Sequence, residues 1–212
     1  GSNFWNVPTC FFIICLSFIF QNMYNEKYND KVIVFIAGAL MCSVILFIPF
    51  FIDFHSPTRI IIKIVSSKQR TFMYHFLICF LMFIFMFISP AYLILKEKFQ
   101  KLKESQQMIW IYGVSAIAII LYCIFQTGPL MFLIIFTVSV FAVIKFDSNK
   151  NIWLWSLWFA GFFILICCEL FYLHDNYGTP YERMNTVFKF HYQVLVLFSI
   201  ASGGTFHFMK ER

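Results

Sequence analysis

Seven apolar runs, each close to the length of a membrane-crossing helix, constrain this chain more than any other feature. They cover approximately 9–24, 32–52, 71–95, 108–125, 129–145, 152–173 and 187–209. A helix rises about 1.5 Å per residue and the hydrocarbon core is about 30 Å thick, so roughly twenty apolar residues cross it. The runs are apolar on all sides instead of alternating, which argues against the strands of a β-barrel. Hydrophobic residues make up 61% of the chain and charged residues 12%. A soluble domain carries about 25% charged residues, so this chain cannot coat a globule of its own size with polar surface. The expected fold is all-α: a multi-pass transmembrane helical bundle of about seven spans, forming a single integral-membrane domain over 1–212.

The breaks between runs carry helix punctuation. Pro8 and Pro129 stand where a first helical turn tolerates a missing N–H. Gln126-Thr127-Gly128 reads as a tight hairpin between the fourth and fifth spans. Pro49 and Pro90 are expected to kink or end their spans. The chain opens on Gly1-Ser2-Asn3 without an initiator methionine, as a tagged chain or the carboxy-terminal part of a longer protein would. All seven cysteines fall inside apolar runs, none with C-x-x-C spacing, which reads as small apolar filler instead of metal or disulfide chemistry.

Loop charges orient the bundle. With the amino terminus on one side, that side holds Arg59, Lys63, Lys68, Arg70 and Arg183, and the other holds ten basic residues. The positive-inside rule makes the richer side cytoplasmic and places the 59–70 and 174–186 loops outside. Trp153, Trp155 and Trp158 then read as a cytoplasmic-side aromatic belt. The net charge of +6 suits anionic lipid headgroups, the expected partners, and not nucleic acid.

The densest polar region is 169–193. Glu169 sits about one turn before the outer end of the sixth span, where a carboxylate is costly unless paired, protonated or facing water. Asn185, Lys189 and Gln193 recur every four residues and form one stripe, expected to face a cavity or another helix. A structural ion pair of Glu169 with Lys189 or Arg183 weighs against a polar site at the outer face. His174 and His191 make no metal site without a third ligand. A second feature spans 59–70. Arg59, Lys63, Ser66 and Arg70 recur at helical spacing with isoleucines between them, which predicts an amphipathic helix lying in the interface. It would anchor to headgroups or receive the phosphate of a lipid-linked substrate. Asp53 and His55 precede it as solvated loop residues. Nucleotide-binding, nucleophile-elbow and zincin signatures are absent.

Glu169-Leu170-Phe171-Tyr172-Leu173-His174-Asp175, followed by Glu182-Arg183-Met184-Asn185-Thr186-Val187-Phe188-Lys189-Phe190-His191-Tyr192-Gln193, resembles the hallmark of the YYY membrane protein family, also called DUF2298. Asn3-Phe4-Trp5-Asn6-Val7-Pro8-Thr9 and Pro49-Phe50-Phe51-Ile52-Asp53-Phe54-His55-Ser56-Pro57 resemble two further stretches of its pattern. Asn6 replaces the family's usual Asp, and His174 and His191 replace a common Arg and Tyr. The family is similar to membrane glycosyltransferases of the GT-C type, which use polyprenyl-phosphate-linked sugars at the extracytoplasmic face. The resemblance implies a main catalytic carboxylate in an amino-terminal half preceding this chain, which would be a partner of the same protein; the fragment alone would be inactive. It implies substrate binding by Glu169, Tyr172, Asp175, Arg183, Asn185, Lys189 and Gln193. Arg183 and Lys189 would hold donor phosphate, and Glu169 and Asp175 a divalent metal ion, sugar hydroxyls or the acceptor. Arg59, Lys63 and Arg70 would contact lipid phosphate. A non-enzymatic transporter or lipid-handling protein would use the same charges as a substrate pathway.

Overall fold

The structure is a computed structural model and describes residues 6–25, 62–66, 69–101, 129–146, 151–174 and 181–211, with positions 34, 37, 38, 41, 45 and 48 singly between them. The runs at 32–52 (apart from those single positions) and 108–125, the Gln126–Gly128 hairpin, Arg59 and Asp175 lie outside the described residues.

Among the described residues there are five helices: α1 (Asn6–Asn25), α2 (Met73–Gln100), α3 (Leu130–Phe146), α4 (Ile152–Leu170) and α5 (Met184–Glu211). Two of them, α2 and α4, are long and apolar enough to cross a membrane; α3 and the Thr9–Phe20 stretch of α1 are shorter apolar helices. Pro8 lies in the first turn of α1, and Pro129 directly precedes α3, where its carbonyl accepts the Leu133 N–H at 2.9 Å. Hydroxyls inside the apolar helices are satisfied locally: Thr137 bonds to the Leu133 carbonyl, Ser139 to Ile135 and Ser156 to Ile152. Such back-bonding removes the cost of a bare hydroxyl in hydrocarbon.

α4 is the central helix. It runs antiparallel to α5, with Trp158 against Phe198 (ring centroids 4.8 Å) and Trp155 against Phe208 further along (5.9 Å). Gly161 permits this approach, because a Cβ there would fall within the Phe198 ring. α1 packs on the other side through Phe12–Phe163 and Phe20–Phe159 contacts. α2 turns one stripe inward, Phe76, Phe80, Ile84, Phe87, Ala91 and Ile94, at helical spacing. Its opposite face leaves Ile78, Met82 and Phe85 at least 69% exposed. A long helix with apolar residues on both faces is built for lipid on the outer one.

Several expectations change. The segment expected as an interfacial helix over 59–70 holds instead a β-strand, β1 (Ile62–Ile64), and the sixth span ends at Leu170, where the chain turns into β2 (Phe171–Leu173). The strands pair antiparallel, Ile62 opposite Leu173, Lys63 opposite Tyr172 and Ile64 opposite Phe171. Alternating Ile-Lys-Ile fits a two-residue period as well as a helical one, and the partner strand decides between them. Trp155 and Trp158 are fully buried, and Trp153 alone of the three is exposed; two of the three tryptophans are core, not an interfacial belt. The Trp158 indole donates to the Thr205 hydroxyl at 3.1 Å, which explains how it can be buried. Helix α2 continues through Pro90 to Gln100 instead of ending there.

Candidate functional site

The carboxy-terminal end of α4 is where the chain's charges meet. A helix end leaves four carbonyls without intrahelical partners and carries partial negative charge. Here the Phe171 N–H bonds to the Cys167 carbonyl, Arg183 Nη2 to the Cys168 carbonyl at 2.5 Å, and the Val65 N–H to the Leu170 carbonyl at 2.9 Å. The residue that follows the helix and two other segments thus close one helix end.

Glu169 is 2% exposed. Of the two partners the sequence offered it, the structure selects Arg183, whose Nη2 stands 2.5 Å from Glu169 Oε1. The carboxylate also accepts the Thr71 N–H at 3.1 Å on Oε2 and the Thr71 hydroxyl at 2.5 Å on Oε1. Arg183 Nη1 donates to the Gln69 carbonyl at 2.6 Å. The pair ties α4, the approach to α2 and the turn before α5 together, with the cation at the negative end of α4. Arg183 is 7% exposed, and its Nε has no hydrogen-bond partner.

Around this node lies a second, more open group. The Tyr172 hydroxyl donates to Glu182 at 2.9 Å, and His174 Nδ1 stands 3.7 Å from the same carboxylate. Burial, and then the bond to Glu182, push the Tyr172 phenol above its ordinary pKa, which keeps it a donor. Thr186 accepts the Leu173 N–H at 2.9 Å and so holds β2 to the start of α5. Lys63 is exposed on β1 and has no ion partner among the described residues. Lys189 is half-buried and occupies the helix face shared by Thr186 and Gln193. Gln193 accepts a hydrogen bond from Thr9, which fastens α1 to α5. Asn185 is half-buried in the first turn of α5, and Arg70 half-buried before α2.

Between α1, α4, α5 and the two-stranded sheet runs an apolar groove of about 300 Å³, lined by Phe12, Ile62, Phe163, Ile164, Phe171 and Phe190 together with Thr9, Tyr172 and Thr186. Among the described residues, no three His, Cys, Asp or Glu side chains stand together as metal ligands. Of the residues expected to bind substrate, Glu169, Tyr172, Arg183 and Gln193 are joined to protein partners, and Asn185 and Lys189 lie half-buried on α5. Sequence reasoning missed Thr71, Gln69, Val65, Thr9 and Thr186. Thr71 just ahead of an apolar run is a recognisable helix-start signal. The Thr9–Gln193 bond joins residues too far apart for any local pattern to reveal.

A family model described as "Uncharacterized membrane protein (DUF2298)" matches residues 1–198. No curated protein and no solved structure matches the chain.

Proposed function

The chain belongs to the DUF2298 family of membrane proteins, and from that premise we propose that it is part of a multi-pass glycosyltransferase that uses a polyprenyl-phosphate-linked sugar at the extracytoplasmic face. About seven spans, with the 174–186 loop outside, follow from the apolar runs and the basic asymmetry of the loops. The observation that carries the reading is the cluster of charged and polar side chains at the end of α4. Both described carboxylates there are engaged, Glu169 by Arg183 and Thr71, and Glu182 by Tyr172 and His174. Lys63 on β1 and Lys189 near the start of α5 are cations of the kind that bind a phosphate group.

In the proposed reaction the bond between the sugar's anomeric carbon and the phosphate oxygen breaks, and the acceptor oxygen bonds to that carbon. Polyprenyl phosphate leaves, and the acceptor's proton passes to a carboxylate expected from the amino-terminal half. Lys189 would stabilise the charge that develops on the leaving phosphate. The test is transfer from a polyprenyl-phosphate sugar by the full-length protein in membranes. Lys189→Gln should lower kcat/KM for the donor by about 100-fold or more with the protein still folded. Wild-type turnover in that variant refutes the assignment. A non-enzymatic lipid-handling protein is the second reading, favoured by the absence of an unengaged carboxylate at the groove among the described residues; donor binding without transfer selects it.

A further inference from the structure

We infer that the free edge of β1 binds an extended, antiparallel strand of a partner polypeptide, with an acidic side chain of that strand opposite Lys63 and apolar ones opposite Ile62 and Ile64. This goes beyond the transferase reading and does not depend on it. Lys63 then serves the strand, and Lys189 alone the donor phosphate.

The register decides which way the backbone of β1 faces. In an antiparallel pair, opposite residues that exchange both main-chain bonds alternate with opposite residues that exchange none. The Val65 N–H bonds to the Leu170 carbonyl, so Val65 and Leu170 are a bonded pair, and Lys63 and Tyr172, two residues back, are the next. The N–H and C=O of Ile62 and Ile64 therefore point away from β2. The other strand confirms the parity: the Phe171 N–H bonds to the Cys167 carbonyl and the Leu173 N–H to the Thr186 hydroxyl, both away from β1. The protein thus closes the outer edge of β2 itself. It does not close that of β1: among the described residues, no hydrogen bond reaches the main chain of Ile62 or Ile64. Their side chains are 67% and 77% exposed. The edge is held in place from behind, with Val65 buried and the Ser66 N–H bonded to the Gln69 side chain at 3.2 Å. Four open main-chain groups on a fixed strand are a template for one more strand.

Chemistry selects the occupant. A hydrocarbon chain has no donors or acceptors for an open main-chain edge, and a helix uses its own internally. A second copy of β1, paired antiparallel on this edge, would set Lys63 against its own counterpart, two like charges directly opposite on one face. Lys63 is exposed and has no ion partner among the described residues, so a carboxylate across from it supplies the missing charge. Successive residues of a strand face opposite sides, which makes the complementary sequence apolar, acidic, apolar. The pair at Lys63 would be the non-hydrogen-bonded one, which brings the two side chains closest. Strand addition of this kind draws affinity from the main chain and selectivity from the alternate side chains.

The test uses the full-length protein in phosphatidylcholine nanodiscs and the fluorescein-labelled peptide Gly-Ser-Val-Glu-Val-Ser-Gly. Fluorescence anisotropy should show saturable binding below about 1 mM. Methylating the amide nitrogens of both valines, which face β1, should weaken binding about tenfold or more. Methylating that of the glutamate, which faces away, should change it by less than about twofold. Replacing the peptide's glutamate by lysine should weaken binding about tenfold, and Lys63→Glu in the protein should reverse that preference. Lys63 is exposed, so this variant should keep the fold, which circular dichroism checks. In a background without other cysteines, a benzophenone on Ile64→Cys should cross-link to the peptide. Cross-links to another segment of this chain or to a second copy overturn the inference. So do equal losses from the two methylations, or no saturable binding up to about 1 mM.

Discussion

Removing one partner of the Glu169–Arg183 pair should destabilise the fold more than removing both. Glu169→Gln keeps the side-chain volume and an oxygen for Thr71, but it leaves the Arg183 cation, 7% exposed, facing only the Gln69 and Cys168 carbonyls. Breaking a buried pair in this way costs about 3–5 kcal/mol. Arg183→Met leaves the Glu169 carboxylate with Thr71 alone and bares two carbonyls, a similar cost. The double variant Glu169→Gln with Arg183→Met removes both charges and leaves only the two carbonyls unpaired, with the amide still beside Thr71, at a cost of about 2–4 kcal/mol. The coupling energy should therefore exceed about 1.5 kcal/mol, as for close charge pairs elsewhere. Unfolding by SDS in mixed micelles, followed by tryptophan fluorescence, measures all three variants. Additivity within about 0.5 kcal/mol would refute the argument, since independent sites behave that way. Exchanging the charges of 169 and 189, Glu169→Lys with Lys189→Glu, should also fail to restore folding, because it sets a lysine against Arg183.

Gly161→Ala should cost about 1–3 kcal/mol by overpacking against Phe198, while Gly203→Ala, with nothing within 4 Å of its Cβ, should be neutral or stabilising by up to about 1 kcal/mol; the same unfolding assay separates them. In a background without other cysteines, Ile62→Cys with Leu173→Cys should form a disulfide under mild oxidation, since residues opposite in a sheet place Cβ atoms about 4.5–5.5 Å apart. A helix over 59–70 would leave that pair reduced. A cysteine introduced at Tyr181, 60% exposed, should react with an impermeant reagent on intact cells; reaction only after the cells are opened would reverse the orientation and remove the extracytoplasmic site.

Run length and composition alone determined the helices around 9–24, 71–95, 129–145 and 187–209, and that expected over 152–173 as far as Leu170, because in hydrocarbon each backbone polar group must be satisfied within its own segment. The same property made Glu169 conspicuous: a lone carboxylate in an apolar run is costly wherever the rest of the chain goes. The choice of Arg183 over Lys189 needed the tertiary structure. Both cations lie within reach in sequence, but Arg183 also meets the Cys168 carbonyl at the end of α4 and the Gln69 carbonyl before α2, and its planar fork serves several acceptors at once. The strand at Ile62–Ile64 was equally beyond local pattern, since a run of three residues shows no period until a partner defines its faces. Trp155 and Trp158 could be belt or core by composition, and only the packing of α5, through Phe198, against Gly161 put them inside. Local periodicity sets which segments become helices; which charges meet depends on helix ends that become neighbours only after the chain has packed.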